Sequence, residues 1–267
     1  MSKTYFAISD IHSFYDEMHN ALFKAGFRKT NPDHILIVVG DIFDRGNESE
    51  KVYKFLRSLP RNRRILIRGN HEYLLRDAIN RGFFYENDYY NGTLGTIMQF
   101  TGTSFSDCVN EPKKVCEEFK KTGVLQWILG NEWVNYAEIG NYIFTHCWIP
   151  VKVLDGTDIY DIKTYTPIKI RPDWREASDK EWEESTWGCP WVMAKKGLVP
   201  NGYTVVCGHW HSYDFPIRLD ENYENYPNYN IYKGHGCIAL DACTARSGQC
   251  NVLVLTEKEI KSTKGNN

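Results

Sequence analysis

Residues 35–46 read ILIVVGDIFDRG, in which five consecutive apolar residues run directly into a polar, glycine-bounded segment. An uninterrupted apolar run of this length is typical of a strand buried on both faces. The aspartates and the arginine that follow should therefore lie where a strand ends and a loop begins. Four other predicted strands end in the same way, at Ser9-Asp10-Ile11-His12, Arg68-Gly69-Asn70-His71-Glu72, Thr145-His146-Cys147 and Gly208-His209-Trp210-His211.

The first 72 residues alternate between strand and helix patterns. Predicted strands at residues 4–8, 35–39 and 64–67 are separated by amphipathic stretches at residues 15–25 and 48–59. This alternation predicts a parallel βαβαβ unit with right-handed crossovers. Ligands of open α/β sheets bind at the carboxyl ends of the strands, which is where the polar signatures of this unit lie.

The rest of the chain changes character twice. Residues 73–135 are helical and polar, and we expect a helical insertion beside the site. Residues 152–191 are rich in Asp, Glu, Tyr and Trp, which predicts an aromatic lid rather than a second core. Residues 221–232 are expected to form a hairpin or a loop.

No linker divides the chain, so residues 1–267 are predicted to form one domain. Further strands, expected to form a second sheet packed on the first, are predicted at residues 203–207, 236–242 and 251–255.

The composition limits the function classes. Lys and Arg total 32 against 34 Asp and Glu, so no basic field indicates a nucleic-acid-binding protein. The eight cysteines include no CxxC pair, which gives little support to a structural zinc site. No apolar run approaches the roughly 20 residues of a membrane-spanning helix, and no signal-peptide pattern is present. We expect a cytoplasmic protein with neither a membrane nor a nucleic acid as its partner.

Taken singly, the polar residues at the strand ends have ordinary interpretations. Asp10 and His12 project to the same side of an extended segment and can bind one cation, but such a pair is also common as a cap beside a surface histidine. Asp41 could cap a helix, and each histidine could be a satisfied core residue. Five strand ends that all carry carboxylates, imidazoles or an amide favour a two-metal site, because these groups are ligands of divalent metals.

The same motifs resemble those of the calcineurin-like metallophosphoesterases. Asp44-Arg45-Gly46 and the run from Arg68 to Glu72 are also similar to bacterial and phage serine/threonine protein phosphatases and to diadenosine tetraphosphatases. The resemblance implies an α/β fold, specifically a four-layer αββα sandwich of two mixed β-sheets flanked by helices. Over residues 8–211 it is carried by Asp10-Ile11-His12, Gly40 to Gly46, Gly69-Asn70-His71-Glu72, His146 and Gly208-His209-Trp210-His211.

This resemblance implies two divalent metal ions, for which Mn²⁺ is expected and Fe or Zn would also suit the ligands. Asp41 would bridge the ions, and a bridging water activated as hydroxide would attack phosphorus in line. The implied ligands are Asp10, His12, Asp41, Asn70, His146, His209 and His211.

The resemblance also implies roles around the phosphoryl group. His71 would protonate the leaving group, and Asp44 would orient His71. Arg45, together with Asn70, would bind phosphoryl oxygens, since a planar guanidinium can donate to two of them at once. Arg68 could assist in this or could pair with a structural carboxylate, and the sequence does not choose between the two. Glu72 is expected to support the site without binding metal.

Three departures from the family pattern bear on the substrate. Cys147-Trp148 stands where the protein phosphatases have two glycines, and Trp148 is expected to reshape the site wall. The loop at residues 185–190 lacks an arginine, for which Arg171 or Arg175 could substitute. His211 adds a second histidine after His209. Four tryptophans of the predicted lid could stack on a base or simply pack against the core: Trp174, Trp182, Trp187 and Trp191.

We therefore predict a serine/threonine-phosphatase-like phosphomonoesterase that acts on a phosphorylated protein or a small phosphate ester. The first alternative is a hydrolase of dinucleoside polyphosphates or nucleotides, which would use the same metals on a different leaving group. The second is a non-catalytic metal-binding scaffold, although a scaffold would not need the acid pair of His71 and Asp44. The sequence leaves the oligomeric state open.

Overall fold

A computed structural model describes residues 2–153, 168–219 and 228–262. Residues 154–167 of the predicted lid and residues 221–227 of the predicted hairpin lie outside the described residues. The described strands are β1 Thr4–Ile8, β2 His34–Val39, β3 Arg64–Ile67, β4 Trp133–Val134, β5 Tyr136–Ile139, β6 Tyr142–Thr145, β7 Val151–Val153, β8 Ile168–Ile170, β9 Thr204–Cys207, β10 Tyr232–Gly234, β11 Cys237–Ala239 and β12 Leu253–Thr256.

Helices connect most of these strands, and short 3₁₀ turns lie at Arg61–Arg63 and Trp174–Glu176. None of the helices within the described ranges has the length and apolar character needed to cross a bilayer. The α-helices are α1 Tyr15–Lys24, α2 Ser49–Ser58, α3 Asn70–Arg81, α4 Glu86–Tyr90, α5 Thr93–Thr101, α6 Phe105–Asn110, α7 Pro112–Lys121, α8 Val124–Ile128, α9 Asp179–Ser185, α10 Pro190–Lys195, α11 Asp214–Arg218, α12 Thr244–Ser247 and α13 Glu257–Ser262.

The first sheet has the strand order β12-β1-β2-β3-β4. Strands β1, β2 and β3 are parallel, with Thr4 opposite His34 and Leu36 opposite Arg64, which confirms the predicted βαβαβ unit. The prediction that residues 251–255 belong to the second sheet is wrong, because β12 pairs antiparallel with β1. The reason is that β2 pairs with only one edge of β1, so the other edge has unpaired backbone groups. Strand β12, in which alternate residues are buried, pairs with that edge.

The second sheet has the strand order β10-β11-β9-β6-β5, with β6, β9 and β11 parallel. A hydrophobic cluster between the sheets takes side chains from both, including Ile37 and Val39 from the first and Phe144 and Val206 from the second. Two sheets packed in this way, each with helices on its outer face, confirm the predicted αββα sandwich. The parallel strands of both sheets end at the same rim, and this positions the candidate site.

The outer helices bury two further clusters. Helices α1 and α2 and the insertion pack over the first sheet around residues such as Met18, Leu56 and Phe119. Over the second sheet, Trp174 and Trp182 are buried in one cluster that also contains Trp148. Trp182 stacks on Tyr136 with ring centroids 4.9 Å apart. In the described part of residues 152–191 these two tryptophans therefore pack against the core, which is one of the two alternatives that the sequence left open for them.

Candidate dinuclear metal centre

The predicted ligands lie just after the parallel strands of both sheets. Asp41 follows β2, His146 follows β6, and His209 comes shortly after β9. The chain turns sharply at several of these positions, with non-glycine residues held at positive φ. Each such residue costs about 1–3 kcal/mol, and strain of this kind concentrates at functional sites. These residues are Asp10, His12, Asp41, Asp44, Arg45 and His209, with φ between 47° and 72°.

Asp41 belongs to two groups of potential metal ligands. The first group is His12, Asp41 and His71, and the second is Asp41, His146 and His209. Within each group the ligand atoms lie within 4.8 Å of one another. Asp41 Oδ2 is 3.8 Å from His12 Nε2, whereas Asp41 Oδ1 is 3.4 Å from His146 Nε2. The two oxygens of one buried carboxylate thus face different groups, as a bridging ligand requires.

Backbone carbonyls fix which nitrogen of two histidines is available. His12 Nδ1 donates to the carbonyl of Phe43 at 2.9 Å, and His146 Nδ1 donates to the carbonyl of Val39 at the same distance. Both rings are almost completely buried. Their Nε2 atoms are therefore left to face Asp41, an arrangement typical of histidines that bind metal.

Protonation also fits a cation site. Burial and nearby cationic groups hold the pKa of His12 well below its ordinary value. Burial and the neighbouring His146 lower the pKa of His209 to about 3, so both rings are neutral and have a free lone pair. Although burial opposes it, the Asp41 carboxylate raises the pKa of His146 to about 10. A cation bound beside Asp41 would displace the His146 proton.

Three glycines leave room for these side chains. A Cβ atom on Gly40 would lie 2.4 Å from His146 Nδ1, and one on Gly69 would lie 2.2 Å from Asp41 Oδ1. A Cβ atom on Gly208 would lie 2.1 Å from Asp10 Oδ2. Because any larger residue would displace a predicted ligand, the surrounding backbone is shaped to this donor set. The imidazole and carboxylate donors fit divalent metals of the Mn, Fe and Zn type.

Asn70 and Asp10 lie beside the two groups. Asn70 Oδ1 is 2.9 Å from His146 Nε2, at the start of helix α3. Both carboxylate oxygens of Asp10 accept the backbone N–H of His209 at 3.1 Å. Burial and the nearby Asp241 raise the pKa of Asp10 well above its ordinary value. A divalent ion next to these crowded buried carboxylates would relieve their mutual repulsion.

Glu72 holds the loops of the site together. Its carboxylate accepts the backbone N–H groups of Asp41 and Ile42 at 3.0 Å and of Gly69 at 2.6 Å. The side chain is buried and therefore joins the loop after β2 to the beginning of α3. This agrees with the supporting role expected for Glu72, whose carboxylate is in neither ligand group of the described residues.

A buried histidine–carboxylate pair lies beside these groups. His71 Nδ1 is 2.7 Å from Asp44 Oδ2, and His71 Nε2 is 3.9 Å from Asp41 Oδ2. Arg45 Nη2 lies 3.3 Å from the same Nε2, and Arg45 is exposed to solvent. Although burial opposes it, the carboxylates of Asp41 and Asp44 raise the pKa of His71. The arrangement places a proton donor and an exposed guanidinium next to the candidate metal groups.

Comparison with known proteins agrees with this geometry. A family profile described as calcineurin-like phosphoesterase matches residues 4–213. The chain belongs to the calcineurin-like phosphoesterase family. This confirms the family predicted from the strand-end motifs.

Individual relatives are more distant. The chain is 42% identical over 70 residues to the symmetrical bis(5'-nucleosyl)-tetraphosphatase of Buchnera aphidicola subsp. Acyrthosiphon pisum (strain 5A), a match that covers 26% of this chain and 24% of the relative. A metallophosphoesterase from Sphaerobacter thermophilus superposes with a TM-score of 0.51 and 14% identity, covering 97% of this chain and 86% of that one. A point mutant of a cold-active protein tyrosine phosphatase superposes with a TM-score of 0.51 and 15% identity, covering 95% of this chain and 75% of that one. At these identities the two structures show that the fold is shared.

Two predicted site residues of this phosphoesterase have other partners. His211 is in neither ligand group of the described residues. Although burial opposes it, hydrogen bonding to Asp214 raises the pKa of His211 to about 11, and the ring lies 3.4 Å from Asp214 Oδ2 and 4.0 Å from Asp241 Oδ2. The Arg68 guanidinium donates to the carbonyls of Ile128, Leu129 and Gly130, after the last turn of α8. These hydrogen bonds give Arg68 a structural role, and its contact with phosphate stays a prediction.

The structure also changes the interpretation of two departures from the family pattern, namely Cys147-Trp148 and the loop without an arginine. Trp148 does not line the metal groups, because it is buried in the core of the second sheet and donates to the carbonyl of Leu198 at 2.8 Å. Arg171 pairs with Asp173 and Glu181, and Arg175 pairs with Glu138, so neither replaces the missing loop arginine. Burial raises the pKa of Cys147, which remains a neutral thiol.

Sequence reasoning missed three residues of the site. Asp241 is buried, and its Oδ2 lies 4.0 Å from His211 Nε2. It follows the apolar strand β11, so the strand-end rule that selected the other residues could have found it. Thr93 and Thr96 donate to the Asp44 carboxylate at 2.8 and 2.7 Å. No sequence signal indicated them, since they lie on a helix of the insertion.

Proposed function

We propose that this chain is a dinuclear-metal-dependent phosphomonoesterase of the serine/threonine-phosphatase type. The observation that carries the proposal is the buried His71–Asp44 pair, which lies next to Arg45 and to the carboxylate shared by the two ligand groups. A metal-binding scaffold would have no use for a paired acid at this position. The combination of metal ligands, an acid and an exposed guanidinium suits hydrolysis of a phosphate ester.

The proposed metal site uses the ligand groups of both sheets. Two divalent ions, proposed as Mn²⁺, would activate water and neutralise phosphoryl charge when bound. One ion would be held by Asp10, His12 and Asp41, and the other by Asp41, Asn70, His146 and His209. The backbone bonds to His12 and His146 support this assignment, because they leave both Nε2 atoms for metal. Fe and Zn accept the same donors.

The remaining residues act on the phosphoryl group. The exposed Arg45 guanidinium would donate to two phosphoryl oxygens. His71 would give its Nε2 proton to the leaving oxygen, while Asp44 holds Nδ1 and stabilises the protonated ring. Arg45 lies against the Nε2 side of His71, so bound phosphate and the acid would be adjacent.

We propose a phosphorylated protein or a small phosphate ester as the substrate. A second candidate, hydrolysis of dinucleoside polyphosphates, is favoured by the local similarity to the bis(5'-nucleosyl)-tetraphosphatase. It is also favoured by Trp187, which is 37% exposed and meets the ring of His209 edge-on at 6.4 Å. An exposed indole beside a candidate ligand could stack on a nucleobase.

We further propose that the protein acts in the cytoplasm as a single domain of residues 1–267, with neither membrane nor nucleic acid as its partner. All eight cysteines are free thiols, which suits a reducing compartment. The hydrophobic cluster shared by the two sheets supports one folding unit.

A substrate panel tests the proposal. Protein loaded with Mn²⁺ should hydrolyse p-nitrophenyl phosphate and phosphopeptides faster than bis-p-nitrophenyl phosphate and diadenosine tetraphosphate. A reversed order would favour the second candidate, and no hydrolysis of any of the four would refute both. His71→Asn should lower turnover while keeping the bound metal. Loss of metal in that variant would show that His71 is a ligand rather than an acid.

A further inference from the structure

Two buried threonine hydroxyls hold the carboxylate of Asp44. Thr93 Oγ1 donates to Asp44 Oδ2 at 2.8 Å, and Thr96 Oγ1 donates to Oδ1 at 2.7 Å. The backbone N–H of Asp44 donates back to Thr96 Oγ1 at 2.9 Å. All three side chains have no exposed surface. With His71 on Oδ2, the carboxylate accepts three hydrogen bonds, and both of its oxygens are engaged.

Helix α5 clamps the whole loop that carries Asp44. Gln99, which follows Thr93 and Thr96 at the same three-residue spacing, accepts the N–H of Ser49 at 2.8 Å and donates to the carbonyl of Gly46 at 3.0 Å. Residues three apart lie on one face of a helix, so the three side chains form a single polar row. At the start of this helix, a Cβ atom on Gly92 would lie only 2.1 Å from the backbone nitrogen of Arg45.

The polar row is not explained by packing. Leu94 and Ile97 of the same helix already bury their side chains in the core of the first sheet. Valine has nearly the shape of threonine and would fill the positions of Thr93 and Thr96 without a hydroxyl. Because each hydroxyl donates to a different oxygen of the carboxylate, the two hydroxyls hold the Asp44 side chain in one rotamer.

We propose that Thr93 and Thr96 are positioning residues for protonation of the leaving group. They fix Asp44, which in turn orients the imidazole of His71 towards the leaving oxygen. In the reaction, the oxygen of the attacking water forms a new bond to phosphorus while the bond between phosphorus and the leaving oxygen breaks, and the proton moves from His71 Nε2 to the leaving oxygen. This inference rests on the proposed acid role of His71. It gives the helical insertion a function in the reaction beyond covering the first sheet.

The inference predicts a dependence on the leaving group. A poor leaving group such as phenolate needs the proton, whereas p-nitrophenolate departs more easily without it. General acid catalysis contributes about 10²–10⁴-fold, and misaligned His71 should lose part of this factor. Thr93→Val and Thr96→Val should therefore lower kcat for phenyl phosphate by about 10- to 100-fold. The fall for p-nitrophenyl phosphate should be much smaller, with KM and metal content retained.

Matched variants separate positioning from structure. Thr101→Val removes another hydroxyl from α5, and among the described residues this hydroxyl bonds to Ile97 and Thr103. The variant should not change the ratio of the two kcat values. Thr93→Ser and Thr96→Ser keep the hydroxyl and should restore the ratio. If Thr96→Val does not fold, Thr93→Val remains decisive, because Thr93 accepts no hydrogen bond from the Asp44 backbone.

The outcomes distinguish this inference from the proposed function. One contrary result is that Thr93→Val and Thr96→Val lower kcat equally for both substrates, or for neither. If His71→Asn still lowers kcat selectively for phenyl phosphate, that result would overturn the positioning role. If His71→Asn itself shows no selective loss, the acid role fails and this inference fails with it. Loss of metal from Thr93→Val would also overturn the inference, because the effect would then act through the metal site.

Discussion

Replacement of Gly69 by alanine should dismantle the metal site through a single added methyl group. The backbone of Gly69 has φ −104° and ψ 179°, an extended conformation that alanine adopts without strain. The new Cβ would nevertheless lie 2.2 Å from Asp41 Oδ1, 2.7 Å from Asp41 N and 2.9 Å from His146 Cε1. Steric displacement of the shared carboxylate is therefore the expected effect of the substitution.

The magnitude follows from these distances. Non-bonded carbon contacts are most favourable near about 3.5 Å, so Asp41 Oδ1 must move by at least about 1 Å. A displacement of this size at a reacting centre can cost about 100-fold in rate. Overpacking should lower the free energy of unfolding by about 1–3 kcal/mol, which leaves the protein folded. Because the two oxygens of Asp41 face different ligand groups, both ions should bind more weakly, and not only one.

Calorimetric titration with Mn²⁺, together with metal analysis after dialysis, measures the effect. Gly95→Ala is the matched control, since nothing lies within 4 Å of its added Cβ. In helix α5 that change should stabilise the protein by about 0.5–1 kcal/mol and leave both affinities unchanged. A folded Gly69→Ala protein that binds two ions with the affinity of the parent would refute the reasoning.

Three further predictions concern other parts of the site and the thiols. Glu72→Ala leaves three buried N–H groups without the acceptor that Glu72 provides. Each unsatisfied group should lower the free energy of unfolding by about 1–3 kcal/mol, so the urea midpoint should fall steeply. An unchanged midpoint would contradict the supporting role of Glu72. His211→Ala should leave two ions per chain by metal analysis, because His211 pairs with Asp214, and loss of one ion would place His211 among the ligands. Ellman's reagent should titrate one fast thiol, Cys243, since the other seven are buried; a fast thiol that persists in Cys243→Ser would be the contrary result.

The strand-end residues could be predicted because their signal is local. The predicted ranges of β1 and β3 agree with the structure at both ends. An apolar run followed directly by Asp41 contains both the strand and the loop that carries the ligand. Parallel pairing of such strands then brings distant residues to one rim, so the ligand list needed no knowledge of side-chain contacts.

The rest depends on contacts that no local pattern contains. Thr93 and Thr96 meet Asp44 across 49 and 52 residues of chain, and their spacing on α5 is compatible with any amphipathic helix. The burial of Trp174 and Trp182 could not be separated from exposure, because a tryptophan-rich segment suits both a lid and a core. The pairing of β12 with β1 depends on which sheet edge is open once the other strands have paired.

The identity of the bridging ligand is tested most directly by anomalous X-ray diffraction from crystals grown with Mn²⁺. Two manganese peaks are expected about 3.5–4 Å apart, one on each side of the Asp41 carboxylate. The first peak should also contact His12, and the second should contact His146 and His209. A single peak, or two peaks that do not share Asp41, would contradict the bridging role of this residue.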